Sequence, residues 1–153
     1  MDYQCEITGP HNIEVLRGLN NNATLLAVAL GSQNIILYPR NDGSGRMTWD
    51  VEASNDGFYY LVVKKGVQPA TCYLSWDANS NGVYLSGGKV DLQQKWIIEP
   101  VPNSPTCCTF HIKPAGKSNY FLSTNGNGRV DQWNTDDGSG RQRWQFQGDW
   151  VTT

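Results

Sequence analysis

The pentapeptide Asp-Gly-Ser-Gly-Arg occurs twice in this sequence, at residues 42–46 and 137–141. Each copy places a carboxylate, a hydroxyl and a guanidinium on one short segment, and these groups supply both donors and acceptors for a polar ligand. The same residues are also typical of a structural turn, in which Asp and Ser cap backbone N–H groups, Gly adopts a positive φ and Arg forms a local ion pair. The pattern therefore predicts a ligand site, a turn, or both.

The residue types that support catalysis are present, but their spacing does not indicate an active site. Ser44 lies in Gly-Ser-Gly, which lacks the G-x-S-x-G spacing of a nucleophile elbow. His11 and His111 are the only histidines, and neither has a Ser or Cys partner near it in the sequence. Asp136 and Asp137 are adjacent on a predicted turn, and such carboxylates rarely converge on one bond. We therefore expect no enzymatic activity, and histidines that are structural or at the surface.

The charge of the chain argues against a nucleic-acid ligand. Charged residues make up 17% of the sequence, and the formal net charge is −2 at pH 7. A polyanion needs a clustered basic surface, whereas the densest basic stretch here is residues 141–143. We expect no nucleic-acid partner.

Other features of the sequence bear on cofactors and compartment. No Cys-x-x-Cys pair accompanies a histidine cluster, so we expect neither a zinc site nor another metal or cofactor. No apolar run approaches the roughly 20 residues that cross a bilayer, so membrane insertion is not expected. Residues 1–5 lack the basic and apolar regions of a secretory signal, which favours a cytoplasmic location and free, mostly buried cysteine thiols.

The two pentapeptides belong to an internal repeat. Residues 40–49 and 135–144 share one pattern at an offset of 95 positions, so a further copy is expected half-way between them. Residues 91–96, Asp-Leu-Gln-Gln-Lys-Trp, end at that point. Three repeats of about 48 residues thus account for nearly the whole chain. Each copy ends at a tryptophan, and the three are Trp49, Trp96 and Trp144.

Each repeat is predicted to contain about four short strands. Apolar runs such as 58–63 and 110–112 are separated by Gly, Asn and Asp, and no segment has a sustained 3.6-residue apolar period. One such unit cannot bury its apolar face alone, whereas three closing on one another can. The repetition predicts an all-β protein and leaves a bladed assembly and a closed barrel open. We expect a single domain, 1–153, with repeats at approximately 3–53, 57–101 and 106–150.

The ends of the repeats resemble a known family. Residues 94–96 (Gln-Lys-Trp) and 142–144 (Gln-Arg-Trp) match the Q-x-W motif of ricin-B-type β-trefoil domains, and 47–49 (Met-Thr-Trp) keeps the Trp. The segment 130–141 resembles the signal-less lectins of fungal fruiting bodies. The resemblance covers nearly the whole chain.

This resemblance implies both a fold and a function. The fold is a β-trefoil with pseudo-threefold symmetry, in which a six-stranded barrel is capped by three hairpins and the motif tryptophans are buried. The function is that of a carbohydrate-binding lectin, a multivalent and metal-independent hemagglutinin for cell-surface glycans. The sugars implied are of the galactose or N-acetylgalactosamine type.

The resemblance also implies where sugars bind. An aromatic face packs against the apolar side of a pyranose, and fixed polar groups bind its hydroxyls. In the third repeat Trp133 is the implied platform, and the polar candidates are Asp131, Asp137, Ser139 and Arg141. The matching candidates of the first repeat are Tyr38, Asp42, Ser44 and Arg46.

The second repeat departs from this pattern, since it lacks the pentapeptide and has Leu85 or Ser86 at the aromatic position. We expect a weak or altered site there that uses Trp76 and Asp77. Two departures from the family motif also point to a hydroxyl pattern other than that of galactose. The acidic residue after the second-strand leucine is replaced, by Val28, Ser75 and Ser123. The Asn before Q-x-W is replaced, by Arg46, Gln93 and Arg141.

Two other functions remain open on the same fold. A protease inhibitor would use one exposed loop, for which the proline-restricted segment 101–105 is the best candidate. A protein-binding trefoil would need a partner surface, to which Trp150 near the C-terminus is a candidate contributor; core packing or a homodimer contact are its alternatives. The repeated pentapeptide favours the lectin, because an inhibitor needs one loop and no repeated polar site.

Overall fold

The regular structure of the chain consists of short strands. The structure is a computed structural model that describes residues 6–18, 23–88, 92–102 and 109–148. Turns rich in Gly, Asn, Asp and Ser interrupt the apolar runs, so within these ranges strands of four to seven residues form and no α-helix is present. No described helix has the length and apolar character to cross a membrane. The strands are β1 (Gly9–Val15), β2 (Leu25–Val28), β3 (Ile35–Tyr38), β4 (Trp49–Ala53), β5 (Tyr59–Val63), β6 (Cys72–Trp76), β7 (Val83–Gly87), β8 (Trp96–Pro100), β9 (Thr109–Pro114), β10 (Phe121–Thr124), β11 (Val130–Trp133) and β12 (Trp144–Gln147), with one 3-10 turn at Leu92–Gln94.

Six of these strands close into a barrel. The first and fourth strands of each repeat pair antiparallel in a continuous ring, from β1 through β4, β5, β8, β9 and β12 back to β1. A closed ring leaves no unpaired edge within the barrel. The remaining strands form three hairpins, β2–β3, β6–β7 and β10–β11. This is a β-trefoil of three repeats of about 48 residues, which confirms the predicted fold class.

The three hairpins contact one another. Ile36 on the first hairpin forms an isolated antiparallel bridge with Arg129 on the third. Gln132 of the third hairpin donates from Nε2 to the carbonyl of Gly82 in the second at 2.7 Å. Between them is a hollow of about 470 Å³, lined by residues 33–36, 82–84 and 127–130.

Each repeat is anchored by the tryptophan that begins its fourth strand. Trp49, Trp96 and Trp144 are 0% exposed, which confirms their predicted burial. Each indole Nε1 donates to the carbonyl of a buried leucine on the second strand of its own repeat, at 2.8, 2.9 and 2.9 Å. The three acceptors are the carbonyls of Leu26, Leu74 and Leu122. These contacts link the barrel to the hairpins.

Of the four cysteines in the sequence, Cys72 lies within the described residues. Cys72 is a buried free thiol, as expected, and burial raises its pKa. The other cysteines, Cys5, Cys107 and Cys108, lie outside the described residues.

Replacing any one of Trp49, Trp96 and Trp144 by Phe is expected to lower the free energy of unfolding by about 1–3 kcal/mol. The reason is that each change leaves a buried leucine carbonyl without its donor. Urea denaturation monitored by circular dichroism measures the effect. The control is Trp133→Phe, at a half-exposed ring, where a change within about 0.5 kcal/mol is expected. A cost at only one of the three buried positions would contradict the equivalence of the repeats.

Candidate functional site

Asp131 and Trp133 lie on the same face of the third hairpin. The register of β10 and β11 places Ser123 opposite Asp131 and Phe121 opposite Trp133. Alternate residues of a strand point to the same side, so the carboxylate and the indole share a face, while Gln132 between them is buried. The hairpin therefore presents an acidic group beside an aromatic one.

The turn at residues 137–141 is held by its own polar side chains. Asp137 Oδ1 accepts a hydrogen bond from the backbone N–H of Ser139 at 2.9 Å, and Ser139 Oγ accepts one from the N–H of Arg141 at 3.2 Å. Gly138 and Gly140 have φ values of +81° and +96°, a region that favours glycine. These contacts are the structural role that the sequence suggested for the pentapeptide.

Gln142 ties this turn to the hairpin. The side chain is buried, its Oε1 accepts from the backbone N–H of Asp137 at 3.2 Å, and its Nε2 donates to Ser123 Oγ at 2.9 Å. The backbone N–H of Thr124 also donates to the carbonyl of Arg141 at 3.1 Å. The glutamine of Q-x-W thus fixes the turn against the strand pair that bears Asp131.

The turn and the hairpin enclose an open cleft of about 310 Å³, which we call the third-repeat cleft. Trp133 is 49% exposed at its wall, so one indole face is accessible to a ligand. The lining residues are Ser123, Thr124, Asn125, Gly126, Asp131, Trp133, Asp137, Arg141 and Gln142. Ser139 is absent from this lining and serves the turn.

The two carboxylates of the cleft differ electrostatically. Burial raises the pKa of Asp131 to about 6, and the nearby charge of Arg129 opposes this shift only in part. Hydrogen bonds from Ser139 lower the pKa of Asp137. Asp131 is therefore a partly desolvated carboxylate with a pKa of about 6, whereas the lowered pKa of Asp137 keeps that carboxylate ionised at neutral pH.

Arg141 is the cation of the third-repeat cleft, which the carboxylates of Asp131 and Asp137 also line. Its Nη1 is enclosed and has no hydrogen-bond partner. The side chain forms no ion pair with any carboxylate in the described ranges. Its Nη2 lies close to Gly126. The guanidinium is thus directed towards the turn between β10 and β11.

The first repeat has the same pentapeptide but a closed arrangement. Arg46 is 3% exposed, and it donates from Nη1 to the carbonyl of Val28 and from Nη2 to Asp42, each at 2.8 Å. Its guanidinium carbon lies 5.2 Å from the centroid of the Tyr38 ring. Asp42 Oδ1 and Ser44 Oγ form the same turn contacts as their third-repeat equivalents. The structure therefore brings all four predicted residues together, with Arg46 buried against Tyr38 and paired with Asp42.

The second repeat places its candidate residues apart from any such cleft. Trp76 is 2% exposed, its Nε1 donates to the carbonyl of Lys95 at 2.8 Å, and its ring packs closely against Gly116. This differs from the expected sugar platform, because the next repeat covers the ring. Asp77 lies in the turn after β6, where the N–H of Asn79 lowers its pKa.

The register also identifies the second-repeat equivalent of Trp133. Tyr73 pairs with Ser86 as Phe121 pairs with Trp133, so the aromatic position is Ser86. Ser86 Oγ lies 2.7 Å from both Ser75 Oγ and Gln94 Nε2. The hydroxyl is therefore part of the packing between the strands.

Several residues of the third-repeat cleft were not predicted as site residues. Gln142 was assigned only to the repeat motif, and Ser123 only to a departure from it. Asn125 and Gly126 belong to the turn between β10 and β11 and line the cleft. The hairpin register, with Ser123 opposite Asp131, is the signal that would have identified Ser123.

Other predicted or possible sites are placed as follows. His111 is buried and its Nε2 lies 2.6 Å from Asp136 Oδ2, which also accepts from Arg143 at 2.9 Å. Of the segment 101–105, Val101 is buried and residues 103–105 lie outside the described ranges, as does Trp150. In the described part of the chain, no group of three His, Cys, Asp or Glu residues suits a metal ion.

Comparison with known proteins supports the fold. Neither a protein-family model nor a curated protein matches the sequence. A Polyporus squamosus lectin, solved with a human-type influenza-binding epitope, superposes with a TM-score of 0.71 at 20% identity over 95% of this chain and 50% of its own. SeviL, solved with the asialo-GM1 saccharide, gives 0.68 at 16% identity over 94% and 99%. The designed threefold-symmetric protein ThreeFoil gives 0.66 at 15% identity over 95% and 99%.

The chain thus spans half the length of that Polyporus lectin and nearly all of the other two proteins. At these identities the likeness shows a common β-trefoil fold and no more. The function must be argued from the cleft itself.

Asp131→Asn is expected to raise the stability of the protein at pH 7.5 and to leave it unchanged below pH 4. The folded-state pKa of about 6 lies above the unfolded value of about 3.9. The native state therefore binds more protons between these values, and the free energy of unfolding falls as pH rises from about 4 to 6. The amide removes this penalty. Thermal unfolding of both proteins from pH 3.5 to 8 measures it.

The control is Asp137→Asn, where the sign is opposite. The folded-state pKa of Asp137 is lowered, so its carboxylate stabilises the turn at neutral pH and that contribution is lost in acid. We expect this variant to be less stable than the wild type at pH 7.5. A stabilising effect of Asp131→Asn that persists unchanged at pH 3.5 would contradict the assigned cause.

Proposed function

We propose that the protein binds carbohydrate and that the third-repeat cleft is its binding site. The observation that carries this proposal is the half-exposed Trp133 ring in a cleft that also holds the partly desolvated Asp131 carboxylate and the Arg141 guanidinium, whose Nη1 has no hydrogen-bond partner. A pyranose has an apolar face for the ring and hydroxyls that both donate and accept hydrogen bonds. The open shape of the cleft suits the end of a glycan better than an enclosed small molecule.

Two of the proteins that share the fold support this proposal. SeviL was solved with the asialo-GM1 saccharide and the Polyporus squamosus lectin with a sialylated epitope, Neu5Acα2-6Galβ1-4GlcNAc. The fold therefore accommodates saccharides in proteins of similar architecture. For this chain the ligand class rests on the cleft residues.

We further propose one principal site per chain. In the first repeat Arg46 covers Tyr38 and pairs with Asp42, which leaves little ring surface for a sugar. In the second repeat the aromatic position is Ser86, and Trp76 is enclosed. The threefold repetition thus serves the fold in all three repeats, while the ligand-binding arrangement is open in the third.

Glycans ending in galactose or N-acetylgalactosamine are the first probes, because the family resemblance implies that class. The cleft has no acidic residue after the second-strand leucine, where Ser123 stands, so Asp131 takes the role of the carboxylate acceptor. We propose that binding needs no metal ion, since no group of three His, Cys, Asp or Glu side chains within the described residues could hold one. Binding that persists in a chelator would agree with this.

No structural observation favours the competing assignment, a protease inhibitor. Its candidate segment begins with Val101, whose side chain is buried and whose N–H donates to the carbonyl of Thr109 at 3.0 Å. An inhibitory loop needs an exposed segment; Pro102 is exposed, and residues 103–105 lie outside the described ranges. A serine and cysteine protease panel tests this alternative directly.

A glycan array followed by calorimetry on the best ligand is the decisive experiment. Trp133→Ala is expected to weaken binding by about tenfold or more, because covering roughly 60 Å² of ring surface contributes about 1.5 kcal/mol. Circular dichroism should show an intact fold.

The matched control for this variant is Tyr84→Ala. Tyr84 is an aromatic residue of similar exposure, 43%, on the corresponding strand of the second repeat. It lines the hollow between the hairpins, so it also tests a competing site. Binding lost in Tyr84→Ala and kept in Trp133→Ala would move the site to that hollow. A blank array with well-folded protein would overturn the proposal.

Agglutination provides a test of the number of sites. With one site per chain, a monomer cannot cross-link cells, whereas a dimer can gain avidity on the order of 10² or more. We therefore expect no hemagglutination from a monomeric fraction isolated by size exclusion, and agglutination from a tandem fusion of two chains. A monomer that agglutinates would show that a second repeat also binds.

A further inference from the structure

The two copies of Asp-Gly-Ser-Gly-Arg differ in the contacts that their arginine side chain makes. In the first copy the guanidinium of Arg46 has the Asp42 carboxylate 2.8 Å from Nη2 and the Tyr38 ring beneath it. In the third repeat Asp137 forms the same turn contacts but no ion pair with Arg141. The sequence of the turn is the same, but the neighbouring hairpin differs, with Asp131 and Trp133 in place of Ile36 and Tyr38.

Arg141 therefore has hydrogen-bonding capacity that the protein does not use. Its Nη1 is shielded from solvent and lacks a partner, and leaving a buried charged donor unpaired is unfavourable. A guanidinium is planar and always charged, and its paired N–H groups match the two oxygens of a carboxylate. An anionic ligand group in the cleft would supply Arg141 with the counter-charge that Asp42 supplies to Arg46.

The other charged groups of the cleft allow such a ligand. Asp137 is exposed and held in the turn by Ser139. Asp131 is half-buried and has Arg129 nearby, so its charge is partly balanced. Of these groups, Arg141 is the cation that lines the cleft, and its Nη1 has no hydrogen-bond partner.

We propose that the preferred ligand of the third-repeat cleft is a sugar that bears a carboxylate, with the carboxylate against Arg141 and the ring face on Trp133. This inference rests on the proposed carbohydrate binding and specifies the class of ligand. Uronic acids and sialic acids both have this chemistry.

The test compares saccharides with and without a carboxylate. Calorimetry at pH 7 with galacturonic acid against galactose, and with sialyllactose against lactose, distinguishes the two sources of a carboxylate. The acidic member of at least one pair is expected to bind about tenfold or more tightly, as a charge-assisted hydrogen bond provides. Arg141→Gln should remove this preference, because it should weaken the binding of the acidic sugar more than that of the neutral sugar.

The matched control is Arg40→Gln. Arg40 is an exposed arginine of the first repeat, so the substitution changes the net charge equally but should retain the preference. Arg141→Lys provides a second variant that keeps the charge and loses the planar group, and it should retain only part of the preference. Thermal unfolding checks that each variant folds.

The outcomes separate this inference from the proposed function. If neutral sugars bind as tightly as acidic ones and Arg141→Gln changes neither, the acidic-sugar inference is overturned while carbohydrate binding stands. If 6-sulfated galactose binds as well as the carboxylates do, the assignment to a carboxylate is overturned in favour of a general anion. If neither class binds to well-folded protein, both proposals are wrong.

Discussion

The indole N–H of each repeat's terminal tryptophan donates to the carbonyl of a buried leucine, and the position of the hairpins depends on these three contacts. The tryptophans begin barrel strands and the leucines belong to the strands that lead into the hairpins, so each contact fixes a hairpin relative to the barrel. In the third repeat Trp144 stands two residues after Gln142. The contact that closes the repeat therefore also positions the glutamine that holds the turn against Ser123.

The fold was predictable from the sequence because its determinants repeat at regular spacing. Trp49, Trp96 and Trp144 indicated the repeat length, and the Gly- and Asn-rich turns between short apolar runs indicated strands. The fate of Trp76 was not predictable in this way. Its burial depends on Gly116 in the next repeat, whose lack of a side chain allows the ring to pack closely, and no local pattern around Trp76 reports that contact.

The candidate site was predictable in composition but not in conformation. Asp131, Trp133, Asp137 and Arg141 were expected to lie together, and the structure places them around one cleft. The contrast between Arg46 and Arg141 could not be read from two identical pentapeptides. In the first repeat the segment forms a closed contact beside Tyr38, whereas in the third repeat Arg141 Nη1 has no hydrogen-bond partner.

The closed first-repeat turn has a consequence for how such a protein evolves. Duplication of one structural unit produces three copies of each turn, and a mutation that weakens packing in one copy is tolerated while the others keep the native state above its stability threshold. The first copy, in which the guanidinium is paired and covered, adds to the stability of the native state. The third copy, in which a carboxylate is partly desolvated and a guanidinium nitrogen has no partner, lowers that stability. In a protein made of repeats, the trade-off between stability and recognition is thus divided among paralogous segments of the same chain rather than resolved within each one.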